Sequence, residues 1–113
     1  MYKLYGIPNC DTVKKARTFL DSKNVAVTFV DFKKTAPTQL DIKRWQKAFG
    51  DLPVNTKGAT YKKFKDEYES CDLNQKINFL IQNTSMIKRP ILEKEGEVLA
   101  FGFEASLYQK LFS

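Results

Sequence analysis

The sequence contains no histidine and only two cysteines, Cys10 and Cys71. Without histidine, the chain cannot form a Ser-His-Asp or Cys-His catalytic pair, and it cannot bind zinc through imidazole. Two cysteines are too few for a cysteine-rich metal site, and a disulfide between them is not expected in a reducing cytoplasm. Any acid, base or nucleophile must therefore be a Cys, Asp, Glu, Lys or Tyr side chain.

Long apolar segments are absent as well. No run approaches the ~20 residues that a membrane span requires, and the chain turns polar at Asn9 before a signal-peptide core is complete. The 113 residues are nevertheless 42% hydrophobic, which is too apolar for a disordered chain and sufficient for one buried core. We therefore expect a single cytoplasmic domain over residues 1–113, a monomer without membrane contact.

The charge is moderately basic and evenly spread. Nineteen Lys and Arg residues oppose thirteen Asp and Glu residues, which gives a net charge of +6. The basic residues occur in separate pairs, and no run of five like charges exists, so we do not expect nucleic-acid binding. A solvated surface, an anionic substrate and an acidic protein partner all remain compatible with this balance.

The first third of the chain has the pattern of a βαβ unit. Residues 2–6 form an apolar-aromatic run that ends at a Gly-Ile-Pro-Asn turn, and a helix capped by Asp11 or Thr12 is expected to follow. Apolar residues at helical spacing predict its buried face: Val13, Ala16 and Leu20. Residues 25–32 are β-branched and aromatic, which indicates a second, parallel strand.

The middle of the chain, about residues 37–85, predicts a helical insertion. Capping patterns occur at Thr38 with Asp41 and at Asp72 with Gln75, and each precedes residues with helical apolar spacing. The insertion separates the βαβ unit from the remaining third of the chain. We therefore expect one α/β domain with helices inserted into it.

The last third predicts a hairpin and a helix. Two short apolar runs, 91–92 and 98–101, flank residues 93–97, in which Gly96 suits a tight turn. Leu107 and Leu111 mark the final helix. The whole order is βαβ, inserted helices and ββα.

Cys10 is the candidate nucleophile. It lies between the first strand and the first helix, where free N–H groups and the helix dipole stabilise a thiolate. A purely structural role is the alternative, since free cysteines are usually buried. A C-x-x-C dithiol is excluded because Val13 occupies the second position, so Cys10 acts alone or uses an external thiol such as glutathione or thioredoxin. Cys71, beside the predicted helix cap at Asp72, is expected to be a structural or incidental thiol, and a resolving partner for Cys10 is the alternative.

A second candidate is the Arg89-Pro90 pair, which directly precedes the predicted third strand. In a βαβ…ββα fold this segment lies beside the amino terminus of the first helix, so Arg89 is positioned to bind an anionic group next to Cys10. An ordinary surface arginine before a trans proline is the alternative.

Together these residues resemble the arsenate reductase-like (ArsC) family, most closely its YffB-type branch and more distantly the Spx regulators. The resemblance rests on four blocks in the same order: Tyr5–Ala16, Asn55–Gly58, Ile87–Leu92 and Gly102–Phe103. It implies a thioredoxin-like fold with a helical insertion, a nucleophilic Cys10 and a cis proline at Pro90. No metal or bound cofactor is implied.

The resemblance also separates the functional alternatives. Arsenate reductases coupled to glutaredoxin hold the oxyanion with three arginines, of which only Arg89 is matched here; Asn55, with Lys57 as a stand-in, and Gly102 occupy the other two places. The resemblance therefore favours a glutathione-dependent monothiol oxidoreductase, with glutathione or another thiol donor as co-substrate. A true arsenate reductase and an Spx-like interaction module are the alternatives. The expected substrate-binding residues are Asn9, Asp11, Thr12, Asn55, Lys57, Arg89 and Pro90.

Overall fold

A computed structural model describes all 113 residues, Met1–Ser113, which divide into two compact units. The first unit comprises Met1–Phe32 and Arg89–Ser113, and the second comprises Lys33–Lys88. The second unit contains the predicted helical insertion and extends a few residues beyond it at both ends. Neither unit has a helix that is long and apolar enough to cross a membrane.

The first unit is a mixed sheet with two helices. Its elements are β1 (Tyr2–Gly6), α1 (Asp11–Ser22), β2 (Val27–Asp31), β3 (Ile91–Lys94), β4 (Glu97–Phe101) and α5 (Ala105–Leu111). The four strands have the order β2-β1-β3-β4; β1 is parallel to β2 and antiparallel to β3, and β3 is antiparallel to β4. The predicted α/β fold, βαβ followed by ββα, is confirmed.

One apolar cluster joins the sheet of this unit to its two helices. The predicted inner face of α1 is fully buried, and it packs with residues of β1, β3, β4 and α5: Leu4, Ala16, Leu20, Leu92, Ala100 and Tyr108. The predicted last helix is present as α5, and its buried residue is Tyr108, whereas Leu107 and Leu111 are each 36% exposed. The Tyr108 ring packs on the aromatic ring of Phe103 at 4.7 Å between centroids.

The hairpin between β3 and β4 is tighter than predicted. Its turn consists only of Glu95 and Gly96, both with positive φ (51° and 81°), as a two-residue type I′ turn requires. Glu93 therefore lies within β3 rather than in the turn, and it is only 2% exposed. The Tyr5 hydroxyl donates a hydrogen bond of 3.3 Å to its carboxylate, which compensates part of the cost of burying it.

The second unit is helical. It contains α2 (Gln39–Phe49), α3 (Ala59–Glu69), α4 (Leu73–Gln82) and a 3₁₀ turn at Thr84–Met86 that was not predicted. Both predicted capping boxes are present, at Thr38 with Asp41 and at Asp72 with Gln75. Each satisfies backbone N–H groups that the first helical turn leaves without partners.

Candidate active site

The loop from β1 to α1 depends on a close approach between Gly6 and Val13. A Cβ atom on Gly6 would lie 2.8 Å from the Val13 Cγ2 atom, a distance at which side chains clash. Val13 is fully buried in the first turn of α1. Because Gly6 has no side chain, the amino terminus of α1 can pack against the end of β1.

Cys10 itself is the N-cap residue of α1. Its backbone is extended (φ −92°, ψ 126°), and its carbonyl accepts the first helical hydrogen bond, from the Lys14 N–H at 2.9 Å. The prediction that Asp11 or Thr12 caps this helix is therefore wrong by one or two positions. No side chain makes a regular cap hydrogen bond, so the N–H groups of the first turn face the thiol rather than a carboxylate or hydroxyl.

The environment of the thiol favours its ionised form. Partial burial raises the pKa of Cys10, but the N–H groups of Val13 and Thr12 and the Arg89 guanidinium lower it by more, so the net pKa is below its usual value. Arg89 acts both as a hydrogen-bond donor to the sulfur and as a positive charge. Lys14 and Lys15 are exposed and are not among the groups that lower the pKa.

The Arg89–Pro90 segment is held in place by a backbone hydrogen bond at Pro90. The Arg89–Pro90 peptide bond is cis, as the family resemblance implied. The Pro90 carbonyl accepts a hydrogen bond of 2.8 Å from the Gly102 N–H, and the Tyr108 hydroxyl donates to the Gly102 carbonyl at 3.2 Å. Gly102 has a φ of +78°, which other residues rarely adopt. This chain of contacts links the cis-proline segment to α5.

The predicted substrate-binding residues fall into both units. The first unit contains Asn9, Cys10, Asp11, Thr12, Arg89 and Pro90. Asn9 and Asp11 are exposed, Thr12 and Arg89 are half-buried, and Pro90 is buried.

Asn55 and Lys57 belong to the second unit. The Asn55 N–H donates to the Met86 carbonyl at 2.7 Å, and its carbonyl accepts from the Gly58 N–H at 3.2 Å. Lys57 is exposed. Asn55 therefore organises its own loop through its backbone.

Cys71 lies in a different environment. Its thiol donates a hydrogen bond to the Glu67 carbonyl at 3.3 Å, just after the end of α3. The next helix, α4, is capped by the Asp72 carboxylate, which occupies the first-turn N–H of Gln75. Cys71 thus has no helix amino terminus of its own.

Sequence reasoning missed the residues whose packing and hydrogen bonds position Cys10 and Pro90. Gly6 and Tyr108 act through packing between elements, and no local pattern encodes such contacts. Gly102 was visible only as part of the family resemblance. No cluster of three or more His, Cys, Asp or Glu residues is arranged to hold a metal ion.

The arrangement as a whole defines a class of protein. A four-stranded mixed sheet, a cysteine at the amino terminus of the first helix and a cis proline before β3 form the thioredoxin-like fold. Within this class, the family model described as "ArsC family" matches residues 5–111. The chain belongs to the ArsC family, a family of thiol-dependent reductases.

Individual relatives agree with this assignment. The solved structure of the YffB protein is 34% identical, covers 100% of both chains and has a TM-score of 0.87. A possible arsenate reductase from Streptococcus mutans is 30% identical over 98% of this chain and 97% of its own, with a TM-score of 0.80. An uncharacterized Haemophilus influenzae protein is 32% identical over 100% of both chains. The YffB-type resemblance is confirmed.

Proposed function

We propose that the protein is a glutathione-dependent monothiol oxidoreductase in which Cys10 is the nucleophile. The observation that carries this proposal is the position of Cys10 as the N-cap residue of α1, where the first-turn N–H groups and the Arg89 guanidinium lower the pKa of its thiol. A larger thiolate fraction at neutral pH increases the rate of attack on sulfur.

The proposed reaction has three steps. The Cys10 thiolate attacks one sulfur of a disulfide substrate, a bond forms between the two sulfurs, and the other half of the substrate leaves as a thiolate. A glutathione thiolate then attacks the substrate-side sulfur of this mixed disulfide. Cys10 is released as a thiolate, and the substrate leaves as a disulfide with glutathione. A second glutathione thiolate then attacks the glutathione sulfur of this disulfide, so the remaining half of the substrate leaves as a thiolate and glutathione disulfide is formed. Both halves of the substrate are then reduced, and two glutathione molecules have supplied the electrons.

The neighbouring residues have separate proposed roles. Arg89 binds a carboxylate or oxyanion of the substrate, since a guanidinium can donate two parallel hydrogen bonds to such a group. The Pro90 backbone aligns an extended substrate segment, and Asn9, Asp11 and Thr12 form the polar rim around the thiol. The reducing cytoplasm is the proposed compartment, and the monomer is the proposed active form.

Arsenate reduction is disfavoured by the residues present. Gly102 offers only its backbone, and its N–H already donates to the Pro90 carbonyl. Asn55 has no positive charge. A tetrahedral dianion would therefore meet one guanidinium instead of three.

The direct test is glutathione-coupled reduction of bis(2-hydroxyethyl) disulfide, followed through NADPH and glutathione reductase. We expect turnover by the native chain and by Cys71→Ser, and none by Cys10→Ser. Mass spectrometry under limiting glutathione should find the mixed disulfide on Cys10. Full turnover by Cys10→Ser, or an adduct found only on Cys71, would refute the proposal and favour the interaction-module alternative.

A further inference from the structure

A cavity that the proposed reaction does not use lies entirely within the second unit. Its volume is about 420 Å³, and its walls come from the end of α2, from the segment between α2 and α3, from α3 and α4, and from Lys88 at the end of the unit. Cavities of roughly 300–1,000 Å³ are the usual size of small-molecule binding sites. The space is therefore large enough for a ligand of amino-acid or dipeptide size.

Two tyrosines form an aromatic wall of this cavity. The rings of Tyr61 and Tyr68 are arranged edge-to-face, with centroids 6.2 Å apart, and the two residues are only 9% and 4% exposed. The Tyr61 hydroxyl donates to Glu69 at 2.8 Å, whereas the Tyr68 hydroxyl has no hydrogen-bond partner within the chain. Burial, followed by the nearby charge of Glu69, raises the pKa of Tyr68. Its hydroxyl therefore stays protonated and can donate to a ligand.

Charges of both signs flank this aromatic wall. The Lys76 ammonium lies 5.4 Å from the Tyr68 ring centroid, and the Lys88 ammonium lies 5.4 Å from the ring centroid of Phe49 on another wall. Neither lysine forms an ion pair with a carboxylate of the chain. Glu69 supplies a negative charge on the side of Tyr61, and Asp51 is a second carboxylate in the lining.

We propose that this cavity binds a small zwitterion with an apolar side chain, the chemistry of an apolar α-amino acid or a dipeptide. Its carboxylate would pair with Lys76 and Lys88, its ammonium with Glu69, and its side chain would pack on the tyrosine rings. A simple anion would be repelled by Glu69 and Asp51, and a simple cation would be repelled by the two lysines. A ligand that carries both charges avoids both penalties.

The test uses L-phenylalanine and L-phenylalanyl-glycine in a titration followed by two-dimensional amide NMR. We expect saturable shifts centred on Tyr61, Tyr68 and Lys76, with a dissociation constant on the order of 1 mM for at least one of the two ligands. Comparing which of the two ligands gives saturable shifts shows whether the site binds the free amino acid or the dipeptide. Phenylalaninamide lacks the carboxylate and N-acetylphenylalanine lacks the ammonium, so each should bind at least about tenfold more weakly.

Matched variants separate the site from a general surface effect. Lys76→Met and Glu69→Gln should each weaken binding about tenfold, whereas Lys62→Met, an exposed lysine on α3, should not. Cys10→Ser should bind normally, because the proposed oxidoreductase site lies in the first unit. The proposal is refuted if neither ligand saturates, if the singly charged analogues bind equally well, or if the shifts lie outside the cavity.

Discussion

Replacing Gly6 with alanine tests how the fold positions Cys10. Alanine normally stabilises a strand by about 0.5–1 kcal/mol relative to glycine, because it restricts the unfolded chain. Here the new Cβ atom would lie 2.8 Å from Val13 Cγ2. Val13 is fully buried and has little room to move, and inserting a methyl group into such packing costs about 1–3 kcal/mol. The clash is larger than the gain, so Gly6→Ala should destabilise the fold by about 0.5–2 kcal/mol.

Urea unfolding followed by circular dichroism measures this loss, and thermal unfolding should show a melting temperature lower by about 4 °C per kcal/mol. Because the Val13 N–H faces the Cys10 sulfur, the same variant should also react more slowly with iodoacetamide near neutral pH.

A double-mutant cycle identifies the cause. Val13→Ala alone should cost about 2 kcal/mol through lost burial, but it also removes the atom that Gly6→Ala would strike. The double variant should therefore be more stable than the sum of the single changes predicts, by about 1 kcal/mol. Gly50→Ala is the control, because no atom lies within 4 Å of its new Cβ. The free energy of unfolding that Gly50→Ala loses should simply add to the loss caused by Val13→Ala. Additive behaviour of the Gly6 pair, or a Gly6→Ala variant as stable as the native chain, would refute the packing argument.

Three further predictions concern the thiol and its arginine. Arg89→Ala should slow glutathione-dependent turnover about tenfold or more, and Arg89→Lys should recover only part of it because the planar fork is lost; equal rates in all three proteins would remove Arg89 from the site. Because the pKa of Cys10 is lowered in the folded chain, the unfolded chain binds more protons than the folded chain at near-neutral pH. The free energy of unfolding should therefore increase as the pH rises toward the ordinary cysteine pKa of ~8.5. The Cys10→Ser variant should not show this increase. In a coupled assay with glutathione and glutaredoxin, arsenate should leave NADPH oxidation at background, and robust arsenate-dependent oxidation would contradict the proposed role of the missing arginines.

The periodic and locally capped parts of the fold could be predicted from the sequence. The buried face of α1 and both capping boxes depend on residues within three to seven positions of each other, so their pattern is visible in the sequence. The position of Cys10 between β1 and α1 was predictable for the same reason. The family resemblance supplied the cis bond before Pro90, which no local pattern distinguishes from a trans bond.

Contacts between distant segments could not be predicted. The buried carboxylate of Glu93 depends on the Tyr5 hydroxyl, which is 88 positions away in the chain. The leucine spacing predicted α5 but did not show that Tyr108 is its buried residue, which packs on the aromatic rings of Phe19 and Phe103. The N-cap of α1 was misassigned because aspartate and threonine are stronger caps than cysteine. A thiol at that position leaves the first-turn N–H groups to stabilise the thiolate.

The central claim is that the environment of Cys10, and not that of Cys71, produces a reactive thiolate. Both thiols are half-buried, so accessibility alone does not separate them. The measurement is the rate of iodoacetamide labelling at each cysteine, followed by peptide mass spectrometry from about pH 5.5 to pH 9. We expect Cys10 to be labelled well before Cys71 at about pH 6.5, and Arg89→Ala should shift the Cys10 profile to higher pH. Labelling of Cys71 first, or identical pH profiles for the two thiols, would contradict the account.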